Sequence, residues 1–143
     1  MVFVQFTELL LELKRSNPMN NSEQNNKQPS VGKIGEDLAA SHLEKNGLNI
    51  LERNYRFGHG EVDIIAEKDN MLIFVEVKTK KHGDFGDPIN WIKRGKQLQI
   101  GRIARGYLYE RNITDRDCRF DVVLVRWEQG LWKIEHIENA FWL

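Results

Sequence analysis

FGHGEVDIIAEKDNMLIFVEVKTK, running from Phe57 to Lys80, decides how this chain folds. EVDIIAE and MLIFVEVKT read as strands, rich in β-branched residues, and KDN between them reads as a tight turn. Three charges sit where burial disfavours them: Asp63 lies inside an apolar run, and Glu76 and Lys78 interrupt the most strand-like segment.

The turn sets the meaning of those charges. With Asp69 and Asn70 as a two-residue turn, Lys68 pairs with Met71, and counting back sets Asp63 opposite Glu76 and Glu61 opposite Lys78. A four-residue turn over Lys68 to Met71 gives the same register, whereas an odd loop puts Asp63 and Glu76 on opposite faces. The Asp-Asn pair favours the even case. The two β-carbons then lie about 5 Å apart, and directly opposed like charges destabilise a sheet. A raised carboxyl pKa with a shared proton would compensate; so would a bound cation, for which two converging carboxylates form a cradle. Lys78 stands on the same face as Glu76, roughly 6.6 Å further along, and reaches the outer end of that cradle. The plain alternative is an ordinary ion pair of Lys78 with Glu61 or Glu76, with Asp63 bonded to backbone.

Working outward, VGKIGEDLAASHLEKN from Val31 to Asn46 carries Ile34, Leu38, Ala39, His42 and Leu43 at helical spacing and stops at Gly47, a natural C-terminal cap. LNILERNYR reads as a strand. Trp91 to Arg111 reads as a second helix with Ile92, Ile100, Ile103, Ala104 and Tyr107 on one stripe. FDVVLVRW and WKIEHIE close the chain as two strands joined across EQGL. The order αβββαββ predicts an α/β (α+β) domain over 31–143 with a mixed central sheet flanked by helices. Before it, 1–30 divides into an amphipathic helical segment, with Phe3, Phe6, Leu10 and Leu13 on one face, and a flexible polar linker from Ser16 to Ser30. Glu8 and Glu12 interrupt the apolar start, and no basic leader or cleavage site accompanies it, so a signal peptide or membrane span is not expected. The in-frame Met19 makes the first 18 residues either a misassigned start or a docking appendage.

Composition narrows the function. The 143 residues carry 21 basic and 21 acidic side chains, so no global field draws the protein to nucleic acid or membrane. The single cysteine, Cys118, rules out a disulfide framework and suits a reducing cytoplasm. His42, His59, His82 and His136 lack zinc-ligand spacing, and neither a phosphate-binding glycine loop nor a GxSxG elbow is present, so no organic cofactor is expected.

Charge is nonetheless concentrated locally. Between Lys78 and Arg105, eight cations (Lys78, Lys80, Lys81, Lys93, Arg94, Lys96, Arg102 and Arg105) face only Asp84 and Asp87. Lys96 shares the stripe of Ile92 and Ile100 and is aimed toward the sheet unless it snorkels to solvent. Glu36 lies at the apolar edge of the first helix beside Gly35, which permits close backbone approach, although a first-turn glutamate also suits the helix dipole. Cations around a carboxylate cradle are what a metal-dependent enzyme acting on a phosphate backbone needs. Trp91 and Phe85 are candidate base-stacking rings, with core packing the plainer role for Trp91.

Asp63, followed thirteen residues later by Glu76-Val77-Lys78, with a helix glutamate upstream, resembles the PD-(D/E)XK nuclease superfamily, the restriction-endonuclease-like fold. GKIGEDLAASHLEKNGLNILERNYR, GEVDIIA, FVEVKTK, FGDP, Lys96-Gln97, RFDVV from Arg119 and ENAF together resemble the uncharacterised bacterial YraN family over about Val31 to Phe141. That family is similar to archaeal Holliday-junction resolvases. The resemblance implies a restriction-endonuclease-like αβββαβ core and Mg2+- or Mn2+-dependent hydrolysis of DNA phosphodiesters, with branched or junction DNA as the candidate substrate. It makes Asp63, Glu76 and the Val77 carbonyl metal ligands, Lys78 the residue that orients the attacking water, and Glu36 an accessory acid. It sets Lys96 or Gln97 near the scissile phosphate; from the local charge, Lys80, Lys81, Lys93, Arg94, Lys96 and Arg102, with Gln97 beside Lys96, are the expected nucleic-acid contacts. Two cuts on a symmetric junction suit a homodimer. A nucleic-acid-binding protein of the same fold without efficient catalysis is the alternative. Val62 stands where the superfamily name has proline, and Lys80 where arginine is common; lysine grips phosphate with one prong rather than two.

Overall fold

The computed structural model describes residues 2–5 and 28–143. In chain order its elements are β1 (Val2–Gln5), α1 (Val31–Lys45), β2 (Asn49–Phe57), β3 (Gly60–Lys68), β4 (Met71–Lys80), a 3₁₀ turn (Pro88–Asn90), α2 (Arg94–Glu110), β5 (Cys118–Glu128) and β6 (Leu131–Ile137). The strands form one sheet in the order β1-β6-β5-β4-β3-β2. Among the described strands only β4 and β5 pair in parallel. A parallel pair needs a long crossover, which α2 supplies.

The β3–β4 hairpin has the even register. Lys68 pairs with Met71, and the ladder continues to Ile64 opposite Val75. Asp69 and Asn70 both have positive φ, 50° and 62°, as a two-residue type I′ turn requires. Alternation along β4 sends Ile73 and Val75 to one face and Leu72 and Phe74 to the other. α1 packs Leu38, Ala39 and Leu43 on the first face, and α2 packs Ile100, Ile103, Ala104 and Tyr107 on the second. Burial on both faces is why LIFV reads as a continuous apolar run.

The helix boundaries follow local chemistry. Ser30 caps α1 through a 3.2 Å bond from Lys33 N. α1 ends in a Schellman pattern: Gly47, at φ +85°, donates to Glu44 O, and Leu48 N donates to Leu43 O. α2 starts at Arg94 rather than Trp91, because the 3₁₀ turn at Pro88–Asn90 occupies the chain first; Trp91 and Ile92 thus lie outside it. Ile92 is buried all the same.

The amphipathic helix expected on Phe3, Phe6, Leu10 and Leu13 is corrected at its start. Val2–Gln5 is a strand whose Val2 pairs with Ile134 and Gln5 with Leu131. β6 would otherwise leave an open row of backbone donors and acceptors, and a short β-branched segment pairs with such an edge readily. Phe6, Leu10, Leu13, Met19 and most of the polar linker lie outside the described residues. Among the described residues no helix is long and apolar enough to cross a membrane.

Candidate active site

The site forms where β3 and β4 part. Regular pairing stops at Ile64–Val75, and in the next step the Asp63 carboxylate replaces a backbone acceptor, taking the Val77 N–H at 2.7 Å. Val62 and Ile65 both pack on the α2 side, so strand alternation slips at Asp63. Across the sheet Asn54, next in register to this point on β2, adopts φ +51° inside a strand. Asparagine tolerates this left-handed conformation better than most residues. Its peptide drops out of the β2–β3 ladder, and its side chain meets the acids. Turned so that the amide nitrogen faces them, it donates to Glu36 Oε2 and Glu61 Oε1, each at 3.3 Å.

Glu76 is 6% exposed and stands between two lysines: Lys78 Nζ is 3.4 Å from Oε1 and Lys96 Nζ 3.5 Å from Oε2. Oε2 is shut off from solvent yet accepts no hydrogen bond. Lys96 also donates to Glu61 O at 3.0 Å, so this α2 side chain ties the parted ends of β3 and β4 together. Glu36 reaches the site because α1 lies directly on β4: a Cβ at Gly35 would stand 1.8 Å from Thr79 Oγ1. Only glycine permits that approach.

These surroundings shift the acids' protonation. Burial, then repulsion from Glu76, raises Asp63 to about 6, against the Val77 N–H and Lys96, which favour its charged form. Burial and then Asp63 raise Glu36 above the ordinary glutamate value, opposed by the Asn54 amide, Arg53 and Lys33.

The fold thus brings Glu36, Asp63, Glu76, Val77, Lys78 and Lys96 to one place. Other expected neighbours are elsewhere. Glu61, counted opposite Lys78, turns instead to Arg56, whose Nε is 2.6 Å from Oε2. Gln97 faces its own loop, donating to Ile92 O at 2.9 Å. Arg102 is exposed on the far side of α2 and bonds back to Leu98 O. Lys93 and Arg94 are exposed at the start of α2, and Lys80 and Lys81 at the end of β4, where Lys80 lies over the Phe85 ring at 5.4 Å. His59 lines a shallow cleft with Arg56 and Glu61. Asn54 went unread in the sequence, where an asparagine inside a strand-like run was the available signal.

A metal ion has a partial cradle here. Among the described residues no group of three His, Cys, Asp or Glu side chains closes around a cation position. Mg2+ is commonly held by one or two carboxylates with waters and substrate phosphates completing its shell, and the orphaned Glu76 Oε2 beside Asp63 fits that pattern.

Comparison with known proteins gives a family match over most of the described chain. The model of the uncharacterised protein family UPF0102 matches residues 35–125. A UPF0102 protein of Flavobacterium psychrophilum is 42% identical over 112 residues, covering 78% of this chain and 93% of that one. One from Alkaliphilus oremlandii is 43% identical over 113 residues, covering 78% and 97%. One from Dictyoglomus turgidum is 40% identical over 127 residues, covering 86% and 100%. Among solved structures, an fdxN element excision controlling factor protein from Anabaena variabilis aligns with TM-score 0.34 and 16% identity over 73% of this chain and 98% of that one. Pyrococcus furiosus SfsA in complex with Ca2+ aligns with TM-score 0.31 and 16% identity over 76% and 62%. The chain belongs to the uncharacterised protein family UPF0102, the YraN family.

Proposed function

We propose that this protein is a divalent-metal-dependent nuclease that hydrolyses DNA phosphodiester bonds, with branched or junction DNA as its candidate substrate. The observation that carries the reading is that Asp63, whose carboxylate takes the Val77 N–H where the β3–β4 ladder ends, neighbours a buried Glu76 whose Oε2 accepts no hydrogen bond. Two neighbouring carboxylates repel each other, and beyond the two lysines a bound cation would relieve that repulsion. Asp63, Glu76 and the Val77 carbonyl would hold Mg2+ or Mn2+, with Glu36 as the accessory acid. Such an ion, when bound, supplies Lewis-acid polarisation of the phosphoryl group.

The remaining work falls to the chain itself. Lys78, half-exposed at the mouth, is aimed to hold an attacking water and to meet charge developing on the phosphate. Lys96 fixes Glu76 and Glu61 in relation to each other, and Asn54 does the same for Glu36. A homodimer would supply two such sites to a symmetric junction.

One observation favours a second reading, binding without efficient cleavage: Lys78 and Lys96 already neutralise Glu76, and the Val77 N–H already occupies Asp63. A single assay separates the two. The protein is incubated with branched, single-stranded and duplex DNA in Mg2+, Mn2+ or chelator, beside Asp63→Asn and Lys78→Ala. Cleavage confined to the metal arms, and lowered by about 10²–10³-fold in each variant, is expected. Persistent cleavage in both variants refutes the site; DNA binding with no cleavage in any arm leaves the binding reading.

A further inference from the structure

The large apolar side chains left exposed among the described residues are Phe57, Leu98, Tyr109, Trp142 and Leu143. All five lie on or against α2. Leu98 and Tyr109 belong to the helix, Phe57 packs on Gly106, and Leu143 packs on Gly101, where a Cβ would meet its Cδ1 at 2.3 Å. Trp142 is held alongside by Arg94, whose Nη1 is 3.3 Å from its carbonyl oxygen. Tyr109 and Trp142 are 84% and 73% exposed, far more than rings that serve packing.

The charges on the same surface are of one sign. Arg94, Leu98, Arg102, Arg105 and Tyr109 follow one another at helical spacing on the side of α2 away from the sheet, and each is exposed. No acidic residue occurs from Pro88 to Tyr109. A second copy of this chain is a poor occupant, since a two-fold interface would set these arginines against themselves. Exposed rings interleaved with arginines match the needs of a single nucleic-acid strand, whose phosphates take the guanidinium groups and whose unpaired bases stack on the rings. The stripe spans about 22 Å at 1.5 Å per residue, long enough to follow several nucleotides of a strand. Arg94 opens the stripe in the same first turn of α2 as Lys96, which contacts Glu76 from the sheet-facing side of the helix.

We infer that the outer face of α2, with Tyr109 and Trp142 as stacking platforms, binds an unpaired nucleic-acid strand leading to or from the carboxylate site. This rests on the nucleic-acid reading above and names its substrate class: a junction or flap with a single-stranded arm. The test is fluorescence anisotropy in chelator with a labelled ten-nucleotide single strand and a blunt duplex. Tyr109→Ala with Trp142→Ala is expected to weaken single-strand binding about tenfold, while Tyr109→Phe with Trp142→Phe retains it. Arg102→Gln and Arg105→Gln should each lower the slope of log affinity against log salt by about 0.7. Wild-type affinity in the alanine pair, equal displacement by polyglutamate, or loss of self-association in that pair with binding unchanged overturns the inference. Asp63→Asn, with a parallel cleavage assay in Mn2+, separates the two ideas: if it and the wild type bind the strand alike in chelator but neither cleaves in Mn2+, the nuclease reading fails and the platform stands. If the wild type cleaves and the alanine pair binds normally, the platform alone fails.

Discussion

Glu76 and Asp121 are the two charged side chains buried among the described residues, and their surroundings are opposite. Asp121 is saturated. Arg119 grips it through Nε at 2.9 Å and Nη2 at 2.8 Å, His136 Nε2 is 2.7 Å away, and Asn139 N donates at 2.9 Å. Burial opposes its ionisation, but the bonds from His136, Arg119 and Asn139 outweigh it and hold the carboxyl below the ordinary aspartate value. Glu76 keeps one oxygen with no hydrogen bond, two lysines at longer range, and a second acid beside it. A buried charge with every lone pair used holds a fold together; one left open at a strand divergence is available for chemistry.

The largest effect should come from the saturated acid. Asp121→Ala strands Arg119 and His136 and is expected to cost about 3–5 kcal/mol in denaturant unfolding. Glu76→Gln keeps the side chain's shape and gives up only two long ion pairs to partly exposed lysines, so stability should stay within about 1 kcal/mol of the wild type. Equal losses in the two variants would erase the distinction drawn between them.

Next comes the ion. Ligand binding to the folded state stabilises by about 2.7 kcal/mol at a concentration 100 times its dissociation constant. Mn2+ should therefore raise the unfolding midpoint of the wild type, leave Asp63→Asn unmoved, and act on Asp121→Asn as on the wild type. A shift of the same size in Asp63→Asn would place the ion elsewhere.

The two acids also set opposite pH responses. Asp63 keeps its proton to about pH 6 in the folded protein but loses it near 3.9 when unfolded, so between those values the folded state binds more protons and stability falls as pH rises. The decline, measured in chelator, should be on the order of 2 kcal/mol and vanish in Asp63→Asn. Asp121, depressed in the folded state, contributes stability that is present above about pH 3.9 and lost as pH falls through its folded pKa. A wild-type curve flat from pH 4 to 6 would remove the claim that Asp63 is held under electrostatic stress.

This contrast also marks how far the sequence could be read. The hairpin was legible because Asp69-Asn70 is a local turn signal and one even count carries the register as far as Ile64 and Val75, one step short of Asp63 and Glu76, where the ladder ends. Lys96 was legible because it shares a helical stripe with Ile100. The Asp121 network was not: its partners come from β5, β6 and the segment after β6, and nothing local brings Arg119, His136 and Asn139 to one carboxylate. Which cations gather at the carboxylates was less legible, since a run of cations in sequence divides between two sides of a helix: Lys96 meets Glu76, while Arg102 is exposed on the other side. The strand at Val2–Gln5 was missed because its partner, β6, lies more than a hundred residues away, whereas helical periodicity can be counted within the segment.

The smallest effect tests the finest feature, the left-handed Asn54. Asn54→Gly keeps the backbone, because glycine adopts φ +51° without strain, but removes the amide that faces Glu36 and Glu61. Stability should change by only a few tenths of a kcal/mol, comparable with replacing a polar cap by glycine. Without that donor Glu36 loses both its positioning and a bond that favours its charged form, so Mn2+ affinity by calorimetric titration should fall about fivefold, equivalent to roughly 1 kcal/mol. Asn54→Ala adds the cost of holding a Cβ in the left-handed region, about 1 kcal/mol or more, and should lose stability as well as affinity. If the glycine variant binds Mn2+ as the wild type does while the alanine variant is merely less stable, Asn54 serves only to bend β2, and Glu36 is positioned by the contact of Gly35 with Thr79 alone.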